Sequence, residues 1–133
     1  PFPWHFGGQR YHNLFMCPEE INSFCQEHEV NVCLDVSHSW LACNQFGYKL
    51  EEFFLTLGQF IKHLHIADAA GVDDEGLQIG EGELNMSLVF ELMSKHCKQA
   101  TWIPEIWQGH KNQGEGFWVA FSRLEKQLAH MSS

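Results

Sequence analysis

Three stretches of the chain carry short apolar runs with a period of two, and the segments between them are longer and amphipathic. Val30-Asn-Val-Cys-Leu-Asp35, Ile61-Lys-His-Leu-His-Ile-Ala67 and Thr101-Trp-Ile-Pro-Glu-Ile-Trp107 read as strands. A helix is predicted from Pro18 to about His28, with Pro in its first turn and Glu19 and Glu20 facing the dipole. A second runs from Lys49 to Gln59, with Leu50, Phe53, Phe54 and Leu57 at helical spacing. Asn85 caps a third that ends near Cys97, and the last spans Glu115 to about His130. Residues 68–82 and 108–114 read as loops. Residues 1–17, with Pro1, Pro3, Gly7 and Gly8, read as a loop that follows a strand outside this sequence. Strand, loop and helix repeated three times predict an α/β fold with a parallel sheet. About three strands and four helices leave both sheet edges open.

Alternate residues of a strand share a face. Asn31, Cys33 and Asp35 therefore lie opposite Val30, Val32 and Leu34. His63 and His65 lie opposite Leu64 and Ile66, and Thr101, Ile103, Glu105 and Trp107 fall together. Each strand brings one ionisable group to its carboxyl end, where parallel α/β proteins hold their sites: Asp35, His65 and Glu105. Mixed oxygen and nitrogen donors suit Mn, Mg, Co or Zn. Each residue also has a plainer reading. Asp35 is a turn or cap residue, and His65 is a hydrogen-bonded interior histidine. Glu105 is harder to explain that way, because an unpaired carboxylate in an apolar run costs several kcal/mol. His38 stands three residues beyond Asp35, and His63 lies one layer deeper than His65, in a position to orient a ligand.

Length and charge narrow the partners. A chain of 133 residues has room for one domain with a core. Its charge of −9, from 8 basic and 17 acidic residues, argues against a nucleic-acid partner. No apolar run approaches the roughly 18 residues of a membrane span, and no leader pattern is present, so no membrane partner is expected. The five cysteines are scattered without a CxxC pair, which favours reduced, mostly buried thiols and a cytoplasmic location. The first residue is Pro1 rather than Met, as in a fragment or processed chain.

Four motifs resemble the xylose isomerase-like TIM-barrel superfamily, which contains sugar isomerases and epimerases and the AP endonucleases. They are Val-Cys-Leu-Asp35-Val-Ser-His38, His63-Leu-His65-Ile-Ala-Asp68, Ile79-Gly80-Glu81-Gly82-Glu83-Leu84 and Ile103-Pro104-Glu105-Ile106. The stretch from Glu105 through Trp107, Gln108, Gly109, His110 and Lys111 to Gly116 is similar to barrel domains fused to, or beside, N-acetylneuraminate synthase-type enzymes. The resemblance implies that residues 1–133 are the carboxyl-terminal half of a (β/α)8 barrel, with 18–133 forming its βα units. It implies metal-ligand roles for Asp35, His65 and Glu105, and a ligand or substrate role for His38. It also implies a further ligand, a Glu at the end of the preceding strand, which would fall just upstream of Pro1.

The implied activity is divalent-metal-dependent isomerisation or epimerisation of a small sugar, sugar phosphate or sugar acid. Glu105 is then one of two carboxylates that move the proton. Gln108, His110 and Lys111 are placed to hold a substrate carboxylate or phosphate, although a solvated polar loop reads equally well there. Asp73, Asp74 and Glu75 read as a solvated acidic loop. A rival reading is AP endonuclease-like phosphodiester cleavage, but the stretch Asp74-Glu75-Gly76 lacks the Asp-x-His that chemistry needs. A third is a non-catalytic half barrel that packs against another chain or domain. Open sheet edges predict a homodimer or higher oligomer.

Overall fold

The computed structural model describes residues 1–3 and 13–132. Trp4, His5 and the two glycines of the opening loop lie outside the described residues. Three parallel strands form the sheet: β1 (Val32–Asp35), β2 (Ile61–Ile66) and β5 (Thr101–Pro104), in the order β1-β2-β5. Between β2 and β5 lies a two-stranded antiparallel hairpin, β3 (Asp68–Ala70) and β4 (Asp74–Leu77). Five helices join them: α1 (Pro18–His28), α2 (Val36–Phe46), α3 (Leu50–Leu57), α4 (Met86–His96) and α5 (Lys111–Met131).

The period-two pattern translates directly into two unlike sheet faces. Leu34, Leu64 and Ile66 point into the core, where they meet Leu41 of α2, Phe53, Phe54 and Leu57 of α3, and Val89 and Phe90 of α4. Phe54, Leu57 and Leu64 are fully buried, each worth roughly 1.5–3 kcal/mol relative to an exposed side chain. The other face carries Cys33, His63, His65, Thr101 and Ile103, and none of these is buried. Pairing sets Cys33 beside His63 and Asp35 beside His65. It also sets His63 beside Thr101 and His65 beside Ile103.

The structure departs from the sequence reading in three places. A fifth helix, α2, starts immediately after β1, with Asp35 as its N-cap: Asp35 Oδ1 accepts from the His38 N–H at 2.9 Å. Gly47 ends it with φ 76°, the left-handed geometry glycine adopts freely. Residues 68–82 are not plain loop, because they contain the β3–β4 hairpin. The third strand stops at Pro104, so Glu105 and Trp107 follow it rather than belong to it. Its pairing still reaches one residue further, since the Glu105 N–H donates to the Ile66 carbonyl at 3.0 Å. In α5, Asn112, Gln113 and Gly114 have left-handed dihedrals, so regular helix begins at Glu115 as predicted.

Asp68 holds the hairpin. Its buried carboxylate accepts from the N–H groups of Ala69 (2.9 Å), Gly80 (2.9 Å) and Leu84 (3.0 Å). A Cβ on Gly82 would collide with this carboxylate and the Ala69 carbonyl, which explains the glycine there. Glu83 clamps the outer side: one oxygen accepts from Trp40 Nε1 (2.8 Å), Asn44 Nδ2 (3.1 Å) and the Gly71 N–H (3.3 Å). The sequence motif 79–84 is thus a fastening for the hairpin.

Candidate metal centre

Asp35 ends β1, His65 is the penultimate residue of β2, and Glu105 follows β5. The parallel pairing sets Asp35 beside His65, and Glu105 lies two residues beyond His65's partner Ile103, so the three side chains converge. A carboxylate oxygen of Asp35, a ring nitrogen of His65 and a carboxylate oxygen of Glu105 all lie within 4.8 Å of one another. His65 Nδ1 is 2.8 Å from Glu105 Oε2. Burial pushes the Asp35 carboxyl above the usual carboxylate range, and the His38 N–H it accepts pulls the other way. Two carboxylates and an imidazole, with one carboxylate short of solvent, form a donor set that a divalent cation fits.

His38 sits in the first turn of α2. Its backbone meets Asp35, and its ring stands edge-on to Phe2 with centroids 5.3 Å apart. Desolvation lowers its pKa to about 4, so the imidazole is neutral at pH 7. Its buried Nδ1 has no hydrogen-bond partner among the described residues. The ring is not among the three converging donors. Asp35 and His38 also line a cavity of about 270 Å³ beside β1, together with Ile21, Phe24 and Phe53. That largely apolar wall is a poor match for a polyol.

The loop after Glu105 is shaped by its own contacts. Lys111 Nζ donates to Gln108 Oε1 at 2.9 Å, and Gln108 adopts φ 54°. His110 is exposed beside them. The Trp107 N–H donates to the Gly76 carbonyl at 2.7 Å, which ties this loop to the hairpin. From α2, Ser37 Oγ accepts from the hairpin's Gly76 N–H at 2.9 Å.

Glu75, read from the sequence as part of a solvated loop, is half-buried on β4. Desolvation raises its pKa, and the charges of Asp35 and Glu105 raise it further, so it faces the same site. No spacing rule signals this, because the hairpin that turns Glu75 inward depends on the distant Asp68 carboxylate. Cys33 is a second addition. It shares the face of Asp35, and the alternation of β1 already marks that position.

All five cysteines are free thiols; Cys25, Cys43 and Cys97 are buried. Among the described residues no helix is long and apolar enough to cross a membrane.

Comparison with known proteins bears on the fold. No curated protein sequence matches the chain. A solved structure described as a D-tagatose 3-epimerase-like protein superposes with a TM-score of 0.70 at 22% identity. The match covers 93% of this chain and 45% of the other, so this chain spans under half of that protein's length. At that identity the likeness establishes the architecture, a partial barrel of parallel βα units. A family model described as xylose isomerase-like TIM barrel matches residues 1–123. With nearly its whole length matched, the chain belongs to the xylose isomerase-like TIM-barrel family.

Proposed function

We propose that this chain carries part of the active site of a divalent-metal-dependent sugar or sugar-acid isomerase or epimerase. It supplies the carboxyl-terminal half of the (β/α)8 barrel, in keeping with the 45% share of the matched structure. The observation that carries the reading is the convergence of Asp35, His65 and Glu105 within 4.8 Å at the carboxyl ends of three adjacent parallel strands. The neighbour described as D-tagatose 3-epimerase-like points to a sugar as the substrate class.

Asp35, His65 and Glu105 would hold the metal, whether Mn, Mg, Co or Zn. When bound, a divalent cation supplies Lewis-acid polarisation of a substrate carbonyl and its neighbouring hydroxyl. Glu105 is the more exposed carboxylate and would take the proton next to the carbonyl on the oxygen that does not hold the cation. Neutral His38 offers a ring nitrogen for a substrate hydroxyl. Gln108, His110 and Lys111, on the loop after Glu105, would suit a carboxylate or phosphate on the substrate. Glu75 adds negative charge that favours cation binding.

The test is Mn²⁺-dependent exchange of the carbon-bound proton into heavy water, across a panel of sugars, sugar phosphates and sugar acids. It is run on the chain alone and on the chain supplemented with the remaining half of a family barrel. Sedimentation on the same samples reads the expected oligomer. Exchange that vanishes in Glu105→Gln supports the reading; exchange that persists undiminished in that variant removes it. The phosphodiesterase reading gains no support from this site, where Asp74-Glu75-Gly76 puts Gly76 in the position that chemistry gives to a histidine.

A further inference from the structure

One layer below Asp35, the same sheet face carries a second group of donors, two of which the sugar-site reading does not use. Cys33 Sγ, a ring nitrogen of His63 and a ring nitrogen of His65 all lie within 4.8 Å of one another. Strand pairing fixes their positions: Cys33 is directly beside His63, and His65 is two residues along the same face. The two rings meet edge-to-face with centroids 5.4 Å apart.

The ring nitrogens are already sorted. His63 Nδ1 is hydrogen-bonded to Thr101 Oγ1 at 2.7 Å. His65 Nδ1 is held by the Glu105 carboxylate at 2.8 Å. Each ring therefore has an oxygen partner on one nitrogen and keeps Nε2 as a donor. That is how metal-binding histidines are usually oriented, with the non-ligating nitrogen held by a carboxylate or another oxygen.

We propose that Cys33, His63 and His65 form a binding site for a thiophilic divalent cation, with Zn²⁺ the best match to one thiolate and two imidazoles. Tetrahedral zinc places such donors about 3.3–3.6 Å apart, so the present spread closes by up to about 1.5 Å through side-chain rotation. Cys33 and the two histidines lie on the open sheet face, where nothing in the core must move. The fourth position is left to water. The thiol gives up its proton on binding, and the released proton passes to solvent. This site goes beyond the sugar-site reading and shares only His65 with it, whose one free nitrogen serves one cation at a time.

The experiment titrates the purified, reduced chain with Co²⁺ as a spectroscopic stand-in for Zn²⁺. A near-ultraviolet thiolate-to-cobalt charge-transfer band is expected at one equivalent, and Zn²⁺ should bleach it. Cys33→Ser should abolish the band, and Cys17→Ser should leave it intact. Thr101→Val, which frees the His63 ring, should weaken binding by about tenfold or more. A wild-type chain without the band, or a band that survives in Cys33→Ser, overturns the proposal. If Cys33→Ser loses the wild-type circular dichroism, His63→Ala decides, and unchanged Co²⁺ affinity there overturns it equally. The band reports a thiolate, so it stands or falls separately from sugar exchange.

Discussion

Replacing Asp68 should damage the fold in a graded way that its three bonds dictate. In Asp68→Ala, the Ala69 and Leu84 N–H groups lose their acceptor at buried residues, whereas Gly80 is exposed and can turn to water. Each stranded buried donor costs about 1–3 kcal/mol, so the loss should be about 4 kcal/mol. Asp68→Asn can keep its amide oxygen toward Ala69 and Leu84 and present NH₂ near Gly80. Only the charge-assisted strength and one exposed bond are lost, about 1.5 kcal/mol. At roughly 2.1 cal/mol/K per residue of unfolding entropy, 1 kcal/mol is worth about 3.6 °C in a chain of this size. The alanine variant should melt about 14 °C below wild type and the asparagine variant about 5 °C below. Thermal unfolding followed by circular dichroism measures both. Equal midpoints for the two variants, or an alanine variant within about 3 °C of wild type, would refute the reasoning.

The other predictions concern charge. Burial raises the Asp35 pKa, so its stabilising contribution is present below the ordinary carboxylate value and lost as pH rises through the folded one. Asp35→Asn keeps the helix cap but removes that loss, so the metal-free variant should melt no lower than wild type at pH 7. The same variant should lose the rise in melting temperature that Mn²⁺ gives wild type, about 2.7 kcal/mol of stabilisation at a hundredfold excess over Kd. An undiminished Mn²⁺ shift would remove Asp35 from the metal site. Glu83 has the opposite sign: the bonds from Trp40 and Asn44 lower its pKa, so its contribution is present above the ordinary value and lost as pH falls. Glu83→Gln should therefore flatten the acid limb of the stability–pH curve, and an unchanged limb would show that the clamp does not depend on charge.

Much of this site was legible because a parallel strand converts alternation into geometry with few free variables. Once Asp35, His65 and Glu105 are assigned to strand ends, pairing alone brings them together. Helix α2 was hidden because Val36-Ser-His-Ser-Trp carries no helical apolar stripe, so the cap reading of Asp35 had no predicted helix to attach to. One side chain serves both purposes, with Oδ1 on the His38 N–H and the carboxylate in the donor group. The hairpin was illegible for a different reason. Gly71, Gly76 and Gly80 all adopt positive φ, which reads locally as loop, while the ordering comes from Asp68 across 12 and 16 residues. Pro104 ended β5 early by removing a donor, yet the Glu105 N–H restored the ladder one residue later, so the placement of Glu105 survived.

The geometry of Asp35 and Glu105 bears on why they are there at all. Two ionised carboxylates within 4.8 Å of each other repel by at least about 3.5 kcal/mol at an effective dielectric of 20, in a chain that already carries −9. Glu75 adds a third negative group to the same region. Packing does not require this: Glu105 is more than half exposed and fills no core position. Capping explains Asp35 alone. His65 shares one hydrogen bond with Glu105, which orients the pair but leaves the remaining carboxylate oxygens aimed at common ground. A divalent cation reverses the sign of every one of these terms at once, and none of the single-residue structural roles does so. The cost written into the metal-free fold is thus the strongest physical reason to read this strand-end cluster as a binding site, and the Asp35→Asn melt in metal-free buffer measures a part of that cost.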